Sequence, residues 1–227
     1  MKTQWIFKQK GVTLIELLVA LVIFGIVIGA IYRLFIVQTN AYTLQDQVVE
    51  VQQSVRSTME IMLRDLRMTG FDDDSTTSTV TITTPIATPV AVNSITVSYE
   101  YFDTTVAQYQ RHTVQYWRDA PSSTLFRQIN INPPDVTTTE TLLVNVDDLT
   151  FTYGVDADED GNMDDQNGDG IIGDNDWVAA GAVGTSKVLA VSVTLTARPT
   201  SVNPDVQTRV SPRTLASAVS LRNLIIK

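Results

Sequence analysis

Residues 11–32 of the 227-residue chain read GVTLIELLVALVIFGIVIGAIY, an apolar run interrupted by one acidic residue, Glu16. Few folds can accept such a run. Residues 12–32 match the roughly 20 residues that span a bilayer hydrocarbon core. Lipid forces such a segment to be helical, because its backbone groups must find their partners inside the segment. Lys2, Lys8 and Lys10 precede it, so the leader is expected in the cytoplasm and the bulk of the chain across the membrane. Glu16 is the anomaly. An ionisable side chain within a bilayer costs roughly 2.5–3.5 kcal/mol on insertion scales and reads as functional. A secretory signal peptide cut near Gly29 or Ala30 would not carry this glutamate, and its pattern would stop there. A plain single-pass anchor would leave both Gly11 and Glu16 unexplained.

Gly11-Val12-Thr13-Leu14-Ile15-Glu16 resembles the cleavage and methylation signature of type IV prepilins. The resemblance implies that a prepilin peptidase cuts after Gly11, that Val12 becomes the N-methylated first residue, and that Glu16 guides docking into a helical filament. The usual first mature residue of that family is Phe, and here it is Val12.

Helical pattern continues beyond the apolar run. Leu44, Val48, Val51, Val55, Met59, Met62 and Leu66 recur at spacings of three and four, one apolar stripe on a helix. No proline falls between Val12 and Met68, so an unbroken helix would reach about 85 Å. Gly25 and Gly29 sit at a spacing that allows close helix approach. Gly70 is a natural C-cap. From Ser75 onward Thr, Val and Ile dominate, and residues 79–84, 94–102, 111–117, 124–131, 142–153, 188–197 and 217–226 read as strands. The expected fold is α+β: a long N-terminal helix (12–70) packed on an antiparallel sheet domain (71–227), after a leader (1–11).

An acidic loop, residues 156–176, interrupts the strands. Asp156, Asp158, Asp160 and Gly161 give D-x-D-x-D-G, and Asp165, Asn167, Asp169, Gly170 and Asp176 give D-x-N-x-D-G-x5-D. Both open like a calcium loop, in which alternate oxygens face the ion and glycine makes the sharp turn. In the second frame Ile171 falls where a backbone carbonyl ligates, Ile172 falls at the hydrophobic position, and Asp176 stands where Glu is usual. Asp164 lies where the frames abut, too closely for two full EF-hands. One Ca²⁺ site, or two close ones, is expected; zinc does not suit a chain with no Cys and a single His.

The remaining composition excludes more than it suggests. The net charge of −9 falls to −12 once the three leader lysines are lost, a poor match for direct nucleic-acid binding. His112, the only histidine, sits in an alternating strand pattern and reads as structural. Adjacent Asp147 and Asp148 should point to opposite faces of a strand. No catalytic constellation is present, and no enzyme activity is expected.

Segments outside the leader narrow the resemblance. Residues 63–71 (LRDLRMTGF), 143–156 (LVNVDDLTFTYGVD), 188–195 and 220–223 (SLRN) are similar to parts of PilW-type minor pilins. That resemblance implies a low-abundance subunit that primes assembly and sits at the pilus tip. It implies other minor and major pilins, prepilin peptidase, the inner-membrane assembly platform and membrane lipid as partners, with a role in cell adhesion. It also implies residence in the inner membrane and then in an extracellular pilus. A J-type pseudopilin of a type II secretion system shares the same pattern, and a membrane-anchored exported enzyme or sensor is a third reading.

Overall fold

The computed structural model describes residues 11–73, 78–87, 90–199 and 211–225. Residues 1–10 of the expected leader lie outside these. The chain divides into two compact units, residues 1–46 and 47–227. A single helix, α1 (Leu14–Met68, 55 residues), begins in the first and ends in the second. In the first unit every described side chain up to Thr43 is exposed, including Leu14, Ile15, Phe24 and Ile26. A helix apolar on all sides needs a cover from outside its own chain. It is the one described helix long and apolar enough to cross a membrane.

The second unit begins with the amphipathic half of α1. Val51, Val55, Met59, Met62 and Leu66 are buried, as the stripe predicts, and Leu44 and Val48 are only partly covered. Strands β1 (Ser94–Asp103), β2 (Gln108–Asp119), β3 (Thr124–Asn132) and β4 (Val136–Leu143) form one sheet in the order β1-β2-β3-β4. Strands β5 (Val146–Asp156), β6 (Val178–Ala179), β7 (Lys187–Ala197) and β8 (Arg213–Ser220) form a second, ordered β6-β5-β7-β8. All ladders are antiparallel. The helix stripe shares one core with Val97, Val114 and Leu125 of the first sheet and Phe151, Val193 and Leu195 of the second. Each such side chain contributes roughly 1.5–3 kcal/mol by leaving water.

A buried ion pair lies against that core. Asp65 is 3% exposed. Its Oδ2 accepts from the Tyr116 hydroxyl at 2.6 Å and from Arg127 Nε and Nη2 at 2.9 and 2.6 Å. Arg127 Nη1 also donates to Glu140 Oε1 at 2.7 Å. Burial, and then the Asp65 charge, push the Tyr116 hydroxyl far above the usual phenol range, so it donates as a neutral group. The network joins α1, β2, β3 and β4.

The end of α1 is held from the far end of the chain. Gly70 adopts φ +73°, the left-handed conformation that stops a helix. A Cβ there would collide with Leu224 of α2 (Arg222–Ile225). The Asn223 amide donates to the carbonyls of Arg67, Met68 and Thr69 at 3.2–3.4 Å, serving orphan acceptors of the last turn.

Several expected elements differ. Residues 79–84 form no strand, and only Ile86 bridges to Val97 of β1. Their backbone is engaged by side chains instead: Val80 N–H donates to the Ser78 hydroxyl and Ile82 N–H to the Asp72 carboxylate. Such bonds compete with a ladder. The expected strand 142–153 is broken at Val144–Asn145, where Asn145 takes φ 55°, and its halves belong to different sheets. The expected strand 217–226 starts earlier, as β8, and ends at Ser220, after which the chain turns into α2; Ile226 lies outside the described residues. Residues 136–141 of β4 were not anticipated, because this Thr-rich stretch is exposed and carries no apolar alternation.

Candidate functional site

Two places carry the residues singled out by sequence. At the N-terminus, Gly11, Val12 and Thr13 precede α1, and Val12 is 74% exposed. Thr13 is the N-cap. The Glu16 amide donates to Thr13 Oγ1 at 3.4 Å, while Glu16 Oε2 accepts from the Thr13 amide and hydroxyl, both at 2.9 Å. This is a capping box, with two orphan donors satisfied reciprocally. The helix therefore starts at Leu14, two residues later than residue 12. Nothing lies within 4 Å of a Cβ built on Gly11, Gly25 or Gly29, and none has a left-handed φ. The fold of the single chain thus has no need of glycine at these positions.

The acidic loop leaves β5 at Asp156 and returns at β6. Asp156 is 1% exposed and accepts from the amides of Asp160 and Gly161 at 3.2 and 3.0 Å. Asp158 Oδ1 accepts from the Asp160 amide at 3.3 Å, and Asp164 Oδ2 from the Ala157 amide at 2.9 Å. Asp156, Asp158 and Asp164 each place an oxygen within 4.8 Å of the others. Asp160 turns instead to Asn162, whose amide it accepts at 2.7 Å. Those Asn162 bonds hold the Asp160 carboxyl below its ordinary range.

The second frame closes around its first residue. Asp165 accepts from the amides of Gly170, Gly168 and Asn167 at 2.5, 2.7 and 3.2 Å. These donors, Gly170 foremost, hold its carboxyl below the usual range. Asn167 Oδ1 accepts from the Asp169 amide and Asp169 Oδ1 from the Ile171 amide. Gly168 and Gly170 take φ +74° and +80°. Asp176, fully buried, reaches back to the Gln166 and Gly173 amides at 2.9 and 2.6 Å. Ile172, expected at the buried hydrophobic position, is 52% exposed, and Ile171 is 71% exposed. No helix pair flanks the loop, so there is nothing for Ile172 to pack against. All the donors are oxygens, the set that suits a hard cation such as Ca²⁺.

Residues 6–32 match the model of the prokaryotic N-terminal methylation motif. The N-terminus thus carries a type IV prepilin-like methylation motif. No curated protein and no solved structure matches the chain. The prepilin motif covers Gly11, Val12 and Glu16 together with the apolar half of α1. It implies processing by prepilin peptidase and fits membrane anchoring through that helix.

Sequence reasoning missed three residues with clear roles. Thr13 was legible, since T-x-x-E is a capping-box signature. Asp65 follows Met62 by three positions on the buried stripe, which its spacing alone suggests. Asn223 carries no local signal. His112 is packed between the Tyr99 and Tyr101 rings at 5.5 and 5.0 Å, and burial lowers its pKa. Asp147 pairs with Arg198 at 2.6 Å, while Asp148 accepts from the Thr150 hydroxyl; the two carboxylates serve separate structural contacts.

Proposed function

We propose that the chain is a PilW-type minor pilin: a structural subunit, not an enzyme, that joins other minor and major pilins to prime a type IV pilus and sits at its tip. The observation that supports this most is the coincidence of Gly11, Val12 and Glu16 in one methylation motif on a helix whose next half packs against β-sheets. The segments 63–71, 143–156 and 220–223 carry the PilW likeness. In this reading the inner-membrane assembly platform lifts the subunit out of the bilayer, lipid gives way to neighbouring pilins, and the exposed domain contributes to adhesion.

Processing is the direct test. Intact-mass measurement should find a mature chain beginning with N-methylated Val12, and Gly11→Glu should retain the leader. A mature chain beginning near Ala30 would overturn the proposal. Recovery from sheared extracellular filaments is expected for a pilus subunit; retention at the cell envelope beside a secretion machine points to a J-type pseudopilin.

We also propose that the loop 156–176 binds Ca²⁺ through Asp156, Asp158, Asp160 and Asp164 in one frame and Asp165, Asn167, Asp169, the Ile171 carbonyl and Asp176 in the other. Support comes from the two D-x-[DN]-x-D-G runs and from the all-oxygen donor set. A ligand bound only by the folded state stabilises it by RT ln(1+[L]/Kd), about 2.7 kcal/mol at a hundredfold excess over Kd. A soluble form beginning near Gln38 should therefore melt higher in millimolar Ca²⁺ than in chelator, with Mg²⁺ a poor substitute. Asp165→Ala should remove most of the difference. A melting point indifferent to chelator, with no calorimetric heat, identifies the loop as a solvated acidic segment.

A further inference from the structure

The positive charge of the second unit is unevenly placed. Two hollows, of about 750 and 530 Å³, open between α1 and β8. The first is lined by Gln52, Val55 and Arg56 of α1 and by residues 212–215; the second by Arg67 and Met68 of α1, Phe71, residues 218–220 of β8, and Arg222 and Asn223 of α2. Strand and helix thus run in the same direction, and the two hollows lie about 20 Å apart along one α1–β8 seam. Val55, Leu215 and Val219 form its apolar floor. Arg56 and Arg213 line one end and Arg67 and Arg222 the other, and no carboxylate lines either. This occurs in a chain of net charge −9.

These arginines are poorly compensated. Arg56 has only an exposed i,i+4 contact with Glu60, which is worth little. Among the described residues Arg67, Arg213 and Arg222 have no ion pair, and Arg213 Nε is buried with no hydrogen-bond partner. A buried donor left unserved costs free energy, so an acceptor that arrives from outside is favoured. Among the described residues β8 is the last strand of its sheet, and an edge strand offers backbone donors and acceptors to an incoming segment.

We infer that the α1–β8 seam is a docking groove for an extended, carboxylate-bearing segment of another protein subunit. Its acidic side chains meet Arg213 and Arg222 at the two ends, and its backbone lies along β8. This goes beyond the assignment as a minor pilin and does not depend on it.

The test uses the full-length chain in its own membrane. A photo-reactive amino acid is placed at Thr214 or at Ala218, one in each hollow, and cross-linked peptides are sequenced by mass spectrometry. Both positions should capture one stretch of another protein that is rich in Asp or Glu. Combined Arg213→Glu and Arg222→Glu should cut the yield at least about fivefold, as charge reversal at a complementary interface does. Combined Arg213→Lys and Arg222→Lys should largely keep it, and so should Arg111→Glu on β2; unchanged melting points show that all three remain folded. The inference is overturned by cross-links to phospholipid, to a stretch without carboxylates, or to this chain's own residues around Asp205. An absent cross-link, or a yield indifferent to charge reversal, overturns it too. Intact mass on the same sample reports Val12 processing separately, so failure of the prepilin reading and failure of the groove are distinguishable.

Discussion

Asp65→Ala should destabilise the soluble form beginning near Gln38 by roughly 3–5 kcal/mol, the range for removing one partner of a buried ion pair. Three donors converge on this carboxylate: the Tyr116 hydroxyl and two nitrogens of Arg127. Removing it leaves a guanidinium that is 10% exposed with only Glu140, itself 53% exposed, to answer its charge. The loss should appear in urea unfolding as a lower midpoint with an unchanged slope. The double variant Asp65→Leu, Arg127→Met should recover much of it, because well-packed apolar residues often replace a buried pair at little cost. If Asp65→Ala alone costs less than about 1 kcal/mol, the value of an ordinary neutral hydrogen bond, the network is not holding α1 to the first sheet.

Glu16→Leu should be inserted and cleaved normally yet be depleted from filaments by at least about tenfold, the effect of 1.4 kcal/mol in an equilibrium. The proposed assembly role of Glu16 competes with a local one. In the single chain its carboxylate completes the cap at Thr13, a contribution of about 1 kcal/mol. In an apolar assembly an unpaired carboxylate costs several kcal/mol, so a cation such as the methylated amine of a neighbouring Val12 outweighs the cap. Glu16→Gln separates the two, since glutamine also completes a capping box but carries no charge. Loss of filament entry in both variants assigns the role to charge. Normal entry of Glu16→Gln assigns it to the cap, and normal entry of Glu16→Leu shows the residue is dispensable.

How far the sequence could be read depends on the range of the interaction that decides each feature. The helix was legible because its determinants are local: no proline, an apolar run, a stripe from Val51 to Leu66, and a glycine at residue 70. Division into two sheets was not, because it rests on Asn145 taking a left-handed turn in the middle of a β-rich run. Residues 136–141 of β4 escaped notice because exposed threonines pair with β3 without any apolar face to mark them. Burial of Asp65 is decided by Arg127, 62 residues away, and the capping of α1 by Asn223, more than 150 residues away. In the acidic loop two turns were legible from glycine placement, since Gly161 and Gly170 take positive φ, whereas the turn at Gly168 was not singled out. The exposure of Ile172 was not, because it reflects a missing neighbour.

The way α1 is seated in the second unit has a mechanical consequence. Its buried stripe lies lengthwise in the core from Val51 to Leu66, and its last carbonyls are held by Asn223. A tension applied along the helix axis loads all those contacts in parallel, as shear, instead of peeling them one after another. The buried Asp65–Arg127 bond adds a directional tie between helix and first sheet, where apolar contacts alone are non-directional. Tension along the axis therefore meets the seat of the helix as one unit.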